Sequence, residues 1–175
     1  MNDAMEFVDS QLGTRKYWDH FYDEELANFK DNGVEGEIWF GLICEAKMIE
    51  FLIKEAPKNS YICDIGTGNG SLLRKLNIND FSNLYGIDYS PKAIELAKRI
   101  SSKNDFKSIR FLVADITSEK LDTELECKFD ILFELINLLS TESLCFDYEL
   151  PTNNTFKFGG SIGSTYRGCV FKWKG

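Results

Sequence analysis

The spacing of apolar side chains divides the chain into a helical first third and a strand-rich remainder. Aromatic and aliphatic residues at helical spacing predict one helix over 15–30 and a second over about 42–56, with a glycine-containing loop between them. Beyond that point the helical period gives way to short apolar runs, at 61–65, 83–88, 109–115 and 129–133.

The apolar runs alternate with helical segments. Between the second and third runs, the segment "SPKAIELAKRI" has Ser90 at the N-cap position and Pro91 in the first turn. Strand and helix in alternation are typical of a parallel sheet with right-handed crossovers. The sequence therefore predicts an α/β fold with a Rossmann-like, doubly wound, mostly parallel sheet. A C-terminal antiparallel hairpin is predicted from the segments 146–150 and 168–174.

Length and composition indicate one domain. The chain has 175 residues, of which 43% are hydrophobic, as in soluble globular proteins. We expect a single unit over 1–175, with a helical N-terminal cap (1–56), a central part that contains most of the apolar runs (57–133) and a short C-terminal part (134–175). No apolar run approaches the roughly 18 to 20 residues that a membrane helix needs. We expect a monomer that does not bind membranes and is cytoplasmic, with a nuclear pool as a second location.

The excess of negative over positive charge lies in the N-terminal cap. Residues 1–56 contain 13 Asp and Glu against 5 Lys and Arg, whereas residues 57–175 contain 15 of each. Such a field repels nucleic acid and attracts a basic protein. A solvated acidic helix face explains the same imbalance.

Cysteine and histidine usage argues against a metal site. The five cysteines contain no C-x-x-C pair, and we expect free thiols. A single histidine, His20, leaves no multi-histidine metal site. Its surroundings, "YWDHFYDEEL", indicate an amphipathic helix and argue against a Ser/His/Asp triad, so we expect a structural or solvent role for it.

The glycine-rich stretch "YICDIGTGNG" follows the first apolar run. Its glycines are Gly66, Gly68 and Gly70, and Ser71 stands where a dinucleotide fingerprint has its third glycine. No lysine follows to grip a phosphate, as it would in a P-loop. A carboxylate at Asp64 repels a pyrophosphate and attracts an ammonium or sulfonium group. An ordinary strand-to-helix turn is the alternative reading of these glycines.

Two further aspartates end apolar runs. Asp88 lies 22 residues after Gly66, the spacing at which an acid reaches the hydroxyl groups of a ribose. Asp115 is placed to accept from an adenine amino group, with turn capping as its alternative role. Parallel strands direct these acids to one crevice. An adenosine with a positively charged tail fits, and S-adenosylmethionine is such a molecule.

The motifs "DIGTGNG", "GIDYS" and "VADI" resemble those of the seven-strand, class I S-adenosylmethionine-dependent methyltransferases. Residues 12–41, together with "PTNNTFKFGGSIG" near the C-terminus, resemble the eukaryotic elongation factor 1-alpha lysine methyltransferase family. The resemblance implies that the three glycines surround the methionine part of the cofactor and that Ile116 flanks adenine with Asp115. It also implies that Trp39 and Phe40 close over the cofactor, although a core role fits these two aromatics nearly as well.

The resemblance implies a protein-lysine N-methyltransferase whose substrate is elongation factor 1-alpha. Glu134 aligns with an acidic residue beside the transferred methyl group, and Tyr17, Trp18, Tyr22 and Glu134 become candidates for a lysine channel. A cofactor-binding module without transferase activity and a small-molecule methyltransferase are the alternatives. A dehydrogenase ranks last, because Asp64 stands where a pyrophosphate would lie.

The chain departs from this family after the fourth apolar run. Leu135, Ile136 and Asn137 replace a Lys-Gly-Thr stretch, and 12 residues, 134–145, stand where the family has a helix, a fifth strand and another helix. So short a segment predicts that the fifth strand and its helices are missing. The edge of the fourth strand is then open unless "ELINLLSTESL", residues 134–144, forms a covering helix. A minimal enzyme, a splice product and an incorrect gene model each explain this shortening.

Overall fold

Three parallel strands form the centre of the fold. The computed structural model describes residues 14–39, 41–116, 129–134, 144–150, 156–158, 161–163 and 168–173. Strand β1 (Tyr61–Ile65) pairs in parallel with β2 (Asn83–Asp88), which pairs in parallel with β3 (Ile109–Val113). The fourth strand, β4 (Ile131–Glu134), lies parallel on the other side of β1. The predicted α/β class with a parallel sheet is therefore confirmed.

Helices connect these strands. Helix α1 (Arg15–Asn32) and α2 (Gly41–Glu55) precede β1, α3 (Ser71–Ile78) joins β1 to β2, and α4 (Pro91–Lys103) joins β2 to β3. The Thr14 side chain caps α1 by accepting from the Tyr17 N–H, and Gly33 ends it in the left-handed conformation, with φ of 72°. No helix among the described residues is long and apolar enough to cross a membrane.

The main core lies between the sheet and helices α2, α3 and α4. Its fully buried members include Leu52 of α2, Leu73 of α3 and Ile62 of β1. A second cluster joins α1 to α4 through Leu26, Leu96 and other apolar side chains. Helix α1 is thereby attached to the outer surface of α4, and the cap becomes part of the domain core.

The strand limits differ from the prediction at two places. Strand β3 ends at Val113, so Asp115 lies two residues beyond it. Strand β4 starts at Ile131. The N–H of the preceding Asp130 donates to the Tyr61 carbonyl oxygen, and the Asp130 side chain accepts from the Tyr61 N–H. At β1, Asp64 is followed by Ile65, which is the last residue of that strand.

The open edge predicted for the fourth strand is not observed. Strand β8 (Gly168–Trp173) pairs antiparallel with β4, and β5 (Leu144–Leu150) pairs antiparallel with β8. Six of the eight described strands therefore form one sheet in the order β3-β2-β1-β4-β8-β5. The backbone of β8 satisfies the hydrogen-bonding groups that the prediction left exposed. Residues 135–143 of the predicted covering helix lie outside the described residues, whereas Glu134 belongs to β4 and Leu144 to β5.

Two short strands precede β8. Strand β6 (Phe156–Phe158) and β7 (Ser161–Gly163) form a separate antiparallel pair. This small sheet lies in the glycine-containing stretch between the two predicted hairpin segments.

Gly86 of β2 is required by close packing. It lies beside Phe111 of β3 in the sheet register, and a Cβ built on it would lie 2.7 Å from Phe111 Cδ1 and 2.9 Å from Leu73 Cδ1. We therefore expect Gly86→Ala to overpack the core and to lower the free energy of unfolding by about 1–3 kcal/mol, as measured by urea denaturation. In the double variant Gly86→Ala/Phe111→Leu, the smaller side chain at position 111 should recover part of this loss. Strict additivity of the two substitutions would contradict the packing explanation.

Candidate cofactor site

The turn between β1 and α3 is built by backbone hydrogen bonds to β2. The N–H groups of Gly66 and Thr67 both donate to the Ile87 carbonyl oxygen, at 2.8 and 3.0 Å. Gly66, Gly68 and Gly70 have φ values of 74°, 55° and 73°, which side chains of L-residues rarely permit. A Cβ at Gly66 would meet no atom within 4 Å, so the backbone here faces open space that a ligand can enter.

Asp64 lies buried at the base of this turn. Its side chain is 6% exposed, and its Oδ2 accepts a hydrogen bond of 2.8 Å from the Thr67 hydroxyl. Burial raises the pKa of Asp64 to about 7, with Asp88 and Glu45 adding to the rise and the Thr67 bond opposing it. A positive ligand group beside Asp64 would favour the ionised form.

Asp88 ends β2 on the other side of the turn. Its two oxygens accept from the backbone N–H groups of Gly68 at 3.0 Å and Ser90 at 2.9 Å. Burial raises the pKa of Asp88, while these two bonds lower it. Each oxygen retains a second lone pair, so the carboxylate is held in a fixed orientation and can still accept from hydroxyl groups.

Asp115 lies on the same side of the sheet as these two acids. The N–H of its neighbour Ala114 donates to the Asp88 carbonyl oxygen at 3.0 Å, which keeps the chain beside β2 beyond the end of β3. Burial raises the pKa of Tyr89 to about 12, and Asp88, Asp19 and Asp115 contribute to that rise. Asp115 itself is exposed, whereas Ile116 is half-buried against Tyr85 and its neighbours. The three predicted acids thus share one rim.

The aromatic residues of the cap form one cluster beside the glycine turn. The ring centroids of Trp18 and Trp39 are 4.3 Å apart, and those of Phe21 and Trp39 are 4.9 Å apart. Trp39 therefore packs against α1, and its closure over the cofactor stays a prediction. Tyr17 contacts Trp18 edge-on, at 5.3 Å between centroids. Phe40 lies outside the described residues.

Tyr22 approaches the glycine turn directly. Its side chain is 5% exposed, and a Cβ built on Gly68 would lie 2.5 Å from the Tyr22 hydroxyl oxygen. Burial raises the pKa of Tyr22, and Asp88 and Asp64 add to the rise. The phenol is therefore neutral at pH 7 and keeps its proton for donation. The sequence had suggested Tyr22 only for the lysine channel, because helical spacing predicts a buried face without identifying what it contacts.

The backbone of Glu134 lies at the same end of the sheet as the glycine turn. It is the last residue of β4 and is aligned with Ile65, the residue before the first glycine of the turn. Its predicted catalytic role rests on this position and on the resemblance.

The sequence analysis also missed two residues that support the turn. Arg74 of α3 is buried and is bonded to the Asn69 carbonyl oxygen and to Glu35 of the α1–α2 loop. No spacing rule indicates such a contact, because Glu35 and Arg74 are 39 residues apart in the chain.

The site fits a positively charged adenosine derivative better than a dinucleotide. A pyrophosphate at the turn would lie beside two buried carboxylates whose pKa values are already raised. A ribose and a cationic tail would instead find two acceptors and negative charge. Among the described residues, no group of three or more His, Cys, Asp and Glu side chains could hold a metal ion.

The fold and this site define a class I S-adenosylmethionine-dependent methyltransferase. A family model described as "Methyltransferase domain" matches residues 56–163. The structure is similar to that of magnesium protoporphyrin IX methyltransferase from Synechocystis PCC 6803 with bound S-adenosylhomocysteine. The TM-score is 0.55 at 12% identity, with 91% of this chain and 98% of that chain covered. S-adenosylmethionine is therefore the cofactor of this class.

The sequence relatives define the family more narrowly. The chain is 34% identical over 216 residues to the EEF1A lysine methyltransferase 2 of Mus musculus, with 98% of this chain and 88% of that protein covered. It is 43% identical over 120 residues to the EEF1A lysine methyltransferase 2 of Homo sapiens, where it spans half of the relative's length. The chain belongs to this family of methyltransferases, as the resemblance predicted.

The mouse alignment also supports the shortening. Since 98% of 175 residues is about 171, about 45 of the 216 aligned positions have no counterpart in this chain. A helix, a strand and another helix occupy a comparable length.

The raised pKa of Asp64 makes stability depend on pH. The folded protein keeps this proton up to about pH 7, whereas an unfolded aspartate loses it near its ordinary value of 3.8. The folded state therefore binds more protons in this window, and the free energy of unfolding should fall as pH rises through it. In urea denaturation at pH 5 and pH 8, we expect Asp64→Asn to lose less stability between the two pH values than the wild type.

The matched control removes an exposed carboxylate. Asp31→Asn in α1 makes the same change of charge away from the turn, and its pH dependence should equal that of the wild type. Equal pH dependence in all three proteins would rule out Asp64 as the source. Asp88 remains in each variant and contributes in the same direction.

Proposed function

We propose that the chain is a protein-lysine N-methyltransferase that uses S-adenosylmethionine and acts on elongation factor 1-alpha. The observation that carries the proposal is the rim formed by Asp64, Asp88 and Asp115 in a chain whose relatives are EEF1A lysine methyltransferases. The same relatives support a protein substrate, and the acidic cap, with 13 acids against 5 bases in residues 1–56, favours a basic one.

Each acid has a separate part in binding. Asp88 accepts from the ribose hydroxyl groups, since Gly68 and Ser90 hold its oxygens in position. Asp64 supplies negative charge near the methionine part, and Asp115 accepts from the adenine amino group. When bound, S-adenosylmethionine supplies an activated methyl group. The turn leaves room for that ligand at Gly66, where a Cβ would meet no atom within 4 Å.

The protein needs no nucleophile of its own, because the substrate amine is the nucleophile. Lysine must enter uncharged, and an apolar environment lowers the pKa of its ammonium group. The partly exposed rings of Tyr17 and Trp18 can provide such an environment, and Tyr22 lies between them and the turn. Glu134 is the candidate group for receiving the substrate beside the methyl donor.

A second function has support from the sheet. Strand β8 pairs directly with β4. In the alignment with the mouse relative, roughly 171 residues of this chain are matched, and about 45 positions of the relative have no counterpart in it. A chain that keeps the glycine turn and loses part of the substrate side would bind S-adenosylmethionine without transferring its methyl group.

We also propose a monomer in the cytoplasm, with a nuclear pool, that binds neither membranes nor nucleic acid.

The test combines transfer with binding. Purified protein is incubated with radiolabelled S-adenosylmethionine and elongation factor 1-alpha, and calorimetry measures cofactor affinity. We expect labelled elongation factor with the wild type. For Asp88→Asn we expect about 10–100-fold weaker cofactor binding, the value of hydrogen bonds to a charged group. Asp31→Asn, which changes the same charge on the surface, should behave as the wild type.

The outcomes separate the candidate functions. Cofactor binding without labelled protein supports the binding module and contradicts the transferase. Label in free amines, with none in elongation factor 1-alpha, supports a small-molecule methyltransferase. Tighter binding of a nicotinamide dinucleotide than of S-adenosylmethionine would overturn the cofactor assignment.

A further inference from the structure

A buried arginine connects the glycine turn to the loop of the cap. Arg74 is 6% exposed, and its guanidinium donates to the Asn69 carbonyl oxygen and, at 2.7 Å, to Glu35 Oε2. Glu35 belongs to the loop between α1 and α2, and its side chain is 46% exposed. A charged group that is buried needs such partners, because water cannot solvate it.

The same two partners make further bonds. Glu35 Oε1 accepts from Asn104 Nδ2 at 3.2 Å, at the end of α4. Asn69 Nδ2 donates to the backbone oxygens of Glu35 and Glu37, at 3.0 and 3.4 Å. Asn69 Oδ1 accepts from the Ser71 N–H, at the start of α3. We call Glu35, Asn69, Arg74 and Asn104 the Glu35 clamp.

The clamp acts on the part of the turn that contacts Asp88. Asn69 lies between Gly68, whose N–H donates to Asp88, and Gly70, which precedes α3. Arg74 fixes the carbonyl of Asn69, and the Asn69 side chain fixes the loop that leads to Trp39. The loop that leads to Trp39 and the Asp88 carboxylate are therefore connected through Asn69, by these hydrogen bonds and by the short backbone segments between them.

We propose that Glu35 and Arg74 are positioning residues of the cofactor site. They act through Asn69, by keeping the turn in the conformation in which the Gly68 N–H orients Asp88. A carboxylate at position 35 is needed because it accepts from Arg74 and Asn104 at once. The proposal rests on the cofactor and does not require that lysine be the acceptor.

The deciding experiment compares two isosteric variants of one loop. Glu35→Gln removes the charged partner of Arg74 but keeps the side-chain shape. Glu37→Gln removes an equal charge two residues away, at an exposed position where only the backbone oxygen bonds to Asn69. Isothermal titration calorimetry with S-adenosylmethionine measures the dissociation constant of each variant, and circular dichroism verifies that each is folded.

We expect Glu35→Gln to bind S-adenosylmethionine about tenfold more weakly, because bonds to a charged partner are stronger than neutral ones. Glu37→Gln should bind within about twofold of the wild type. Arg74→Lys keeps the charge but cannot span both partners as a guanidinium does, so its affinity should also fall. In steady-state assays the effect of Glu35→Gln should appear in the KM for the cofactor, with kcat nearly unchanged.

Several results would overturn the proposal. Equal affinities of Glu35→Gln and Glu37→Gln would show that the clamp stabilises the fold without positioning the site. A lower kcat at unchanged cofactor affinity would assign Glu35 to a different step. A wild-type protein that binds the cofactor but does not label elongation factor 1-alpha would contradict the proposed function alone, since the calorimetric comparison needs no turnover.

Discussion

The site depends on the hydrogen bonds that the Asp88 carboxylate accepts from the backbone of Gly68 and Ser90. These bonds join the glycine turn, the end of β2 and the start of α4 in one arrangement. They also keep a buried acid oriented while burial raises its pKa. Asp64, on the other side of the turn, accepts from the Thr67 hydroxyl, and burial raises its pKa to about 7. Two backbone N–H groups therefore orient Asp88, whereas the side chain of Thr67 orients Asp64. Asp64 is also the acid that is expected to lie closer to the positive charge of the ligand.

The centre of the fold and the turn could be predicted because their signals are local. Apolar runs identify β1 and β2, and the carboxyl ends of parallel strands meet at one edge of a sheet. Two acids that follow these runs must then approach each other. The contacts of the cap could not be predicted in this way. The periodicity of α1 places Tyr22 on a buried face, but only the three-dimensional packing against α4 brings its hydroxyl to Gly68.

The prediction of an open sheet edge failed for a related reason. Sequence length predicted that a strand and its helices have no room after β4. It did not indicate that β8 would take the adjacent position and pair with β4. Backbone hydrogen-bonding groups need partners, and an antiparallel strand from the end of the chain can supply them as well as a parallel one.

The contact of Tyr22 with Gly68 implies that the side-chain sizes at these two positions, which are far apart in the sequence, constrain each other. The space where a side chain at 68 would project is occupied by the phenol, with only 2.5 Å between its oxygen and a built Cβ. Any larger residue at 68 would require a smaller one at 22, so the two positions should vary together in evolution. The first helix is thus packed directly against the glycine turn, and an N-terminal deletion that reaches it would leave the space beside Gly68 unfilled.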